Sequence, residues 1–530
     1  AITAGLRFNS SDDIHVLEPA FSLNGYQNAT LPFAYFGEGI VTEVQPRDRP
    51  LDGEAITGTL GLGAKLSPEL ALFSYLNAFD ADLDQSQALI FDRIQGHDRR
   101  LDFGFSIHFS PQNQLWLKAG AGDSESERKS RHNDFITDPA CSPSADFMGS
   151  CRSDAEMDGY DIQYRQIVAS DDRLEVSFGW EAASVDSSVQ SDFSGATSSA
   201  GALSPDKTIM LRDDAEDRSQ TVYLSAQYKL GAQLKAHAAL DYSDYRKELV
   251  SGGYLQQGDL HVPLAAQSYS TKTNKLSPRF GLEYQHDDRL SARCAYQQWL
   301  RPASAHSLAP MATAGIALAD ELVLPGGEIE RARLQIDWEF NDASYVNFFY
   351  DWSSTDNLSR GIGDVLNQRM ELAELDRLRQ QDYTNLPTLE QLEERPVFAK
   401  GEVDSVGVNF ETILFDGLSL SAGYIYSEGE NTGKGFSGLD LPYIPQHRAL
   451  IGATWFPLER CRLQLQGVYR SSRPVDEPNT VMLDEDFTTT VTGQWQSNDK
   501  RYKLEAYAAN LSTSQKDTLV GVNLLWRTDL

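Results

Sequence analysis

Apolar and polar residues alternate with a period of two along most of this chain, the pattern of β-strands whose two faces meet different surroundings. In 173–181 (RLEVSFGWE), Leu174, Val176, Phe178 and Trp180 share one face, and Arg173, Glu175, Ser177 and Glu181 the other. In 329–340, Ala332, Leu334, Ile336, Trp338 and Phe340 oppose Arg331, Arg333, Gln335, Asp337 and Glu339. In 100–109, Leu101, Phe103, Phe105, Ile107 and Phe109 oppose Arg100, Asp102, Ser106 and His108. A soluble sandwich would also alternate, but its strands run to about 5–6 residues. These runs last about 9–12 residues, the length of a tilted strand that crosses a bilayer.

The spacing of the runs carries topology. They come in pairs joined by tight polar turns: 65–69, 109–113, 169–173, 229–233, 285–289, 340–344, 414–418, 456–460 and 496–500. The links between pairs are long, often about 25–45 residues. Short turns at one end and long loops at the other are the mark of an outer-membrane barrel. Nine hairpins give 18 strands; a first strand at 1–11 and a last at 517–527 bring the number to 20. A further pair is expected in 14–44, where two apolar runs flank a turn. The expected fold is therefore all-β: one transmembrane antiparallel β-barrel over 1–530, with 20–22 strands, short periplasmic turns and long extracellular loops. All eight Trp (116, 180, 299, 338, 352, 455, 495 and 526) fall in these strands. Most face the apolar side near strand ends, as interfacial girdles require; Trp116 and Trp299 fall on the polar side.

Composition changes this picture little. Lys plus Arg number 46 and Asp plus Glu 77, a net charge of −31, which excludes a general nucleic-acid binder. Acid clusters at 80–84, 134–138 and 213–217 are assigned to the long external loops. The mean hydropathy of −0.42 does not oppose a barrel, whose lipid face is hidden in the alternation. No apolar run reaches 18 residues, so no membrane-spanning helix is predicted. The chain opens on a strand, with no basic and apolar leader. Cys141 and Cys151 bracket a small polar loop and are expected to form a disulfide; Cys294 and Cys461 read as small apolar fillers.

No nucleophile elbow, zinc-protease helix, phosphate loop or dinucleotide fingerprint occurs, and the nine His are scattered. The expectation is a non-enzyme without cofactor or metal site. Function is expected on the polar strand face, where parity places Lys118, Arg165, Arg173, Glu175, Lys235, Asp241, Arg279, Glu283, Arg331, Arg333, Asp337, Glu411, Arg462, Lys503 and Glu505 toward a lumen. Asp161, His237, Asp351 and Arg470 share that parity. The competing reading is that these charges merely pair across strands. Two links stand out. In 355–401, Leu366, Met370, Leu372, Leu375 and Leu378 predict an amphipathic helix. The link 301–328 is unusually apolar and is expected to pack inside the barrel or against a partner chain.

Four stretches resemble hairpins of the barrel domain of TonB-dependent outer-membrane receptors: KLSPRFGLEYQHDDRLSARCAYQQWLRPAS (275–304), VDSVGVNFETILFDGLSLSAGYIYSEGEN (403–431), LPYIPQHRALIGATW (441–455) and YAANL (507–511). The resemblance implies the same barrel in the bacterial outer membrane. The family's plug and TonB-contacting box are not visible in these residues, and the chain ends WRTDL, with Trp526 four residues short of Leu530. Related barrels follow a periplasmic repeat domain and would match the missing plug. Three functions stand open. The first expectation is a passage for a bulky polar substance, by export or gated by a partner. The alternatives are an uptake receptor whose plug lies outside this chain, and a membrane-anchored structural or adhesive scaffold. The expected partners are outer-membrane lipid and lipopolysaccharide, and a periplasmic or plugging protein.

Overall fold

The computed structural model describes residues 2–14, 51–86, 90–110, 112–136, 146–170, 173–199, 202–257, 260–303, 308–310, 312–318, 323, 325–357, 398–415, 417–474, 479, 482–509 and 519–528. Every regular element among them is a strand. In chain order these are β1 (Ile2–Ile14), β2 (Leu51–Lys65), β3 (Leu70–Ser86), β4 (Ile90–Ser110), β5 (Asn113–Ile136), β6 (Asp146–Ser170), β7 (Leu174–Ser199) and β8 (Ala202–Lys229). Then come β9 (Leu234–Gln257), β10 (Leu260–Gln285), β11 (Leu290–Leu300), the two-residue strands β12 (Ala312–Thr313) and β13 (Ile316–Ala317), β14 (Glu328–Asn341), β15 (Ser344–Asp356) and β16 (Lys400–Phe415). The remainder are β17 (Leu418–Asn431), β18 (His447–Leu458), β19 (Cys461–Arg470), the short β20 (Arg473–Pro474) and β21 (Met482–Leu483), β22 (Asp486–Gln496), β23 (Tyr502–Ala509) and β24 (Leu519–Thr528).

Twenty of these strands form one antiparallel sheet. Each pairs with its sequence neighbour, and the last returns to the first through the register Ile2↔Thr528 to Asn9↔Gly521. The sheet therefore closes and has no free edge, the one way a sheet satisfies its backbone groups in lipid. β1 pairs directly with both β2 and β24, so the ring closes at twenty strands without the pair expected in 14–44. Residues 15–50 lie outside the described residues.

The two faces separate cleanly. On β10, Arg279 and Gly281 are buried while Phe280 and Leu282 are 54% and 45% exposed. On β14, Arg331 and Asp337 are buried while Leu334, Ile336 and Trp338 are exposed. In a closed cylinder the buried, polar face is the inside. Outward-facing Trp338, Trp455 and Trp495 lie near the short-turn end with Phe340, Phe456 and Tyr502. Trp299 faces inward and is buried, and Trp116 sits against Phe73 and His108, with ring centroids 6.4 and 6.3 Å apart.

The nine tight turns connect the strands where the spacing places them. In 286–290, Asp287 Oδ1 accepts the backbone N–H groups of Arg289 and Leu290, each at 2.8 Å. These two bonds hold its carboxyl below the usual carboxylate range. In 496–502, the Ser497 hydroxyl and then the Arg501 amide do the same for Asp499.

Strand length differs from expectation. β5 to β10 run 24 to 28 residues, far beyond the 9–12 read from alternation, and much of each long link is strand. The acid stretch 213–217 is not a loop but part of β8, and 80–84 is part of β3. Beyond the apolar band the outer face turns polar while the inner face is mixed, with Met157, Val185, Ala215 and Leu249 buried on it, so period two weakens in the sequence while the backbone ladder continues. There Asp123, Asp158, Asp186, Glu216 and Glu248 lie directly opposite one another on five adjacent strands. Cys141 and the predicted helix around 366–378 lie outside the described residues.

Close approach explains one interior glycine. A Cβ on Gly179 would stand 2.2 Å from the Tyr164 carbonyl oxygen and 2.3 Å from the Tyr223 hydroxyl. The carbonyl belongs to the neighbouring strand and cannot swing aside. Gly179→Ala is expected to cost ~1–3 kcal/mol as overpacking, read as a lowered urea midpoint of the refolded barrel; an unchanged midpoint would rule out this contact.

Candidate functional site

The inner wall is a chain of buried ion pairs. On β4 to β6, Arg100 donates from Nε and Nη2 to the Asp102 carboxylate at 3.0 and 2.9 Å, and reaches Asp161 as well. Lys118 Nζ lies 3.4 Å from Asp102 Oδ1, and Gln163 donates to Asp161 Oδ1 at 2.9 Å. All five are nearly inaccessible. Asp98 is buried just beyond, and its Oδ2 has no hydrogen-bond partner.

A second network joins β11, β14 and β15. Asp337 accepts bonds from Arg293 Nε at 3.0 Å, Gln335 at 2.9 Å, Asn347 at 2.7 Å and Tyr345 at 2.5 Å. Arg331 and Arg333 both reach Asp351, Arg333 at 3.0 Å. The Arg333 guanidinium also lies 4.1 Å from the Phe349 ring centroid. Like charges are thus interleaved with opposite ones and fixed by neutral donors, which is what buried charge requires.

The described residues of the link after β11 fold into the barrel. Arg165 Nη1 donates to the Leu308 carbonyl at 3.0 Å, Gln297 to that of Ile316 at 3.2 Å, and Arg331 Nη1 to that of Ala317 at 2.7 Å. Arg279 and Arg301 grip the carbonyls of Pro310 and Val323. Leu318 and Val323 complete a buried cluster with Trp299 and Ile329. The apolar character of 301–328 is thus used inside the barrel, the first of the two placements its sequence suggested.

The residues picked by parity fall into several places. Asp241 pairs with Arg279 at 2.9 Å, both buried. Glu283 holds Lys235 at 3.2 Å and His237 at 3.8 Å. Arg470 and Arg473 share Asp486 at 3.1 and 3.0 Å, and Lys503 lies 3.6 Å from Glu505. Lys118, Arg165, Arg331, Arg333 and Asp337 belong to the networks above. Arg462 is half-buried. Glu175 and Glu411 are exposed, close to the short turns. Arg173 stands apart: it lies exposed in the turn before β7, where its carbonyl accepts the Lys229 amide. Parity counted into a turn no longer assigns a face. Parity put Arg100 and Asp102 on the polar face without singling them out as site residues, and it did not single out Arg293, Gln297 or Tyr345. Among the described residues no group of three or more His, Cys, Asp or Glu is placed to hold a metal ion.

The model of the family described as TonB dependent receptor-like, beta-barrel matches residues 33–511. Among solved structures, the chain is similar to the ferric yersiniabactin uptake receptor FyuA from Yersinia pestis, with a TM-score of 0.60 at 10% identity over 91% of this chain and 74% of that one. It is similar to the siderophore receptor PiuA from Acinetobacter baumannii, with a TM-score of 0.59 at 11% identity over 99% and 81%. It is also similar to the copper transporter OprC, with a TM-score of 0.58 at 10% identity over 99% and 80%. At these identities the likeness is one of fold. No curated protein matches the sequence. The export passage expected first finds no support among these neighbours, whose names are those of receptors and a transporter.

Proposed function

Because this chain belongs to the TonB-dependent receptor-like β-barrel family and lies in the bacterial outer membrane, we propose that it is the barrel of an uptake receptor for a scarce metal carried as a small polar chelate. The observation that carries this reading is the family match over 33–511 on a ring of twenty strands that closes around a polar interior. In this reading the buried ion pairs of the inner wall, with Lys118, Arg165, Asp241, Arg279, Arg331, Arg333 and Asp337, hold the shape of the path rather than meet the cargo. A plug outside this chain and the energy-coupling TonB protein are its periplasmic partners.

The outer leaflet supplies the other partner. Arg218, Arg246 and Lys272 stand directly opposite one another on β8 to β10, beyond exposed Val222 and Tyr242. In this reading they face the phosphates of lipopolysaccharide, and each is tethered to an acid (Glu216, Glu248 and Asp244).

The test is growth and uptake of the matching metal isotope, iron or copper, on ferric citrate, a ferric catecholate or copper as the limiting source. Cells lacking this chain are expected to lose uptake of at least one of these, and cells lacking TonB to lose the same one. Intact uptake of all three together with loss of a secreted polymer would restore the export reading.

A further inference from the structure

The segment between β11 and β14 is held in a way that a surface loop is not. Of its described residues, 308–310, 312–318 and 323 lie against the inner wall from β6 to β14. The wall grips main-chain carbonyls rather than side chains: those of Leu308, Pro310, Ile316 and Ala317 are taken by Arg165, Arg279, Gln297 and Arg331 on four different strands. The Ala303 amide donates to Ser219 Oγ on β8 at 2.9 Å. From Arg165 on β6 to Arg331 on β14 is six strand spacings, about 29 Å of wall at ~4.8 Å each.

Depth is fixed as well. The small hairpin β12–β13 turns through Ala314 and Gly315, both with positive φ (51° and 72°). It rests on Gly281 of β10, where a Cβ would lie 2.8 Å from the Ala314 Cβ and 3.0 Å from Thr313 Cγ2. Gly281 lies four residues from the end of β10 at the short-turn side, so the hairpin reaches deep into the barrel. At the return, Gly326 takes a φ of 74° with the Tyr245 ring where its Cβ would be. The base is clasped by Arg301 N to the Gly327 carbonyl at 2.9 Å and Gly326 N to the Arg301 carbonyl at 2.8 Å. Thr313, Ala314, Ile316 and Val323 are buried. Side chains that grip carbonyls, tight glycine seats and a buried apolar cluster make a fixed seat, since leaving it would break four wall-to-carbonyl bonds at once.

We infer that this segment is a resident selectivity strap: it stays on the wall and narrows the barrel, so that the bore it leaves sets the size limit of what can pass. The inference rests on the barrel being a passage. It is independent of the direction of transport.

Two variants of the full chain test it in planar bilayers, with polymer exclusion by graded polyethylene glycols as the size gauge. In the first, 304–324 are replaced by a short Gly-Ser link. In the second, Ser219→Cys with Ala303→Cys, where the Ala303 amide meets the Ser219 hydroxyl at 2.9 Å, ties the segment to β8, in a background where Cys141, Cys151, Cys294 and Cys461 are Ser. The strap predicts a several-fold rise in conductance and a larger excluded polymer for the deletion. It predicts no difference between the oxidised and reduced forms of the tied chain, in conductance or in TonB-linked growth. A deletion with wild-type conductance and cut-off would overturn the inference. So would a tied chain that works only when reduced, because the segment would then be a moving part. If the deletion does not reach the membrane, the tied chain still separates fixed from moving. Absence of TonB-linked growth in the parent chain would count against the uptake reading and leave the conductance comparison intact.

Discussion

Replacing Arg100 by Ala is expected to be the most damaging single change on the inner wall, costing ~3–5 kcal/mol of barrel stability. Arg100 is 5% exposed, and its two acceptors, Asp102 and Asp161, are 1% and 3% exposed. Once it is removed, Asp102 keeps Lys118 at 3.4 Å and Asp161 keeps the neutral Gln163 amide. One buried carboxylate then has no cation, and desolvation that the pair had offset becomes a net cost. Arg100→Lys should recover little, because a single ammonium cannot replace a planar fork that serves two carboxylates. The double variant Arg100→Ala with Asp161→Asn should cost less than the sum of its parts, since the second change removes the charge the first one orphaned. Urea unfolding of the refolded barrel in lipid vesicles measures all three. A loss below ~1 kcal/mol for Arg100→Ala would show that water reaches this wall and screens it.

The same cluster shows how far the sequence could be read. Alternation over 100–109 puts Arg100 and Asp102 on the polar face, but not against Asp161, which is two strands away. The contact exists because Gly120 stands between them in register, opposite both Asp102 and Asp161. A Cβ on Gly120 would lie 2.3 Å from Arg100 Nη2. A glycine in a strand is a weak signal by itself, and its meaning appears only once the register is known. The strap was legible as apolar sequence and illegible as contact, because its wall partners bind carbonyls, which every residue has. The barrel was legible wherever one strand face meets lipid, as in 173–181 and 329–340. It faded in 186–199 and 202–219, where the outer face is polar and the inner face mixes apolar residues such as Ala215 with polar ones such as Ser219, so period two carries little contrast. The net charge of −31 changes its meaning accordingly. Part of it lies on exposed strand faces above the apolar band, where Asp158, Asp186, Glu216 and Glu248 form a row, and not in loops.

Phe280→Arg is expected to cost ~2–4 kcal/mol, and Tyr284→Arg on the same strand face only ~0–1. Phe280 is 54% and Tyr284 41% exposed, so a protein in water would tolerate both. The distinction comes from depth. Phe280 lies opposite Ala238 and Tyr296, five residues from Gln285 at the end of β10. At ~3.4 Å per residue and a tilt of ~40° that is about 13 Å up the barrel axis, the middle of an apolar band about 25 Å tall. An Arg there has no water within reach of its guanidinium, and its neighbours on the same face, Leu282 and Leu240, offer no acceptor. At Tyr284, beside the 286–290 turn, the side chain can extend into the aqueous interface. The pair is best read by equilibrium unfolding in phospholipid vesicles rather than detergent, since a micelle deforms around a charge. Equal penalties at the two positions would mean that depth along β10 does not map onto a bilayer. A negligible penalty at Phe280 would mean that the outward face of the ring is not in contact with lipid.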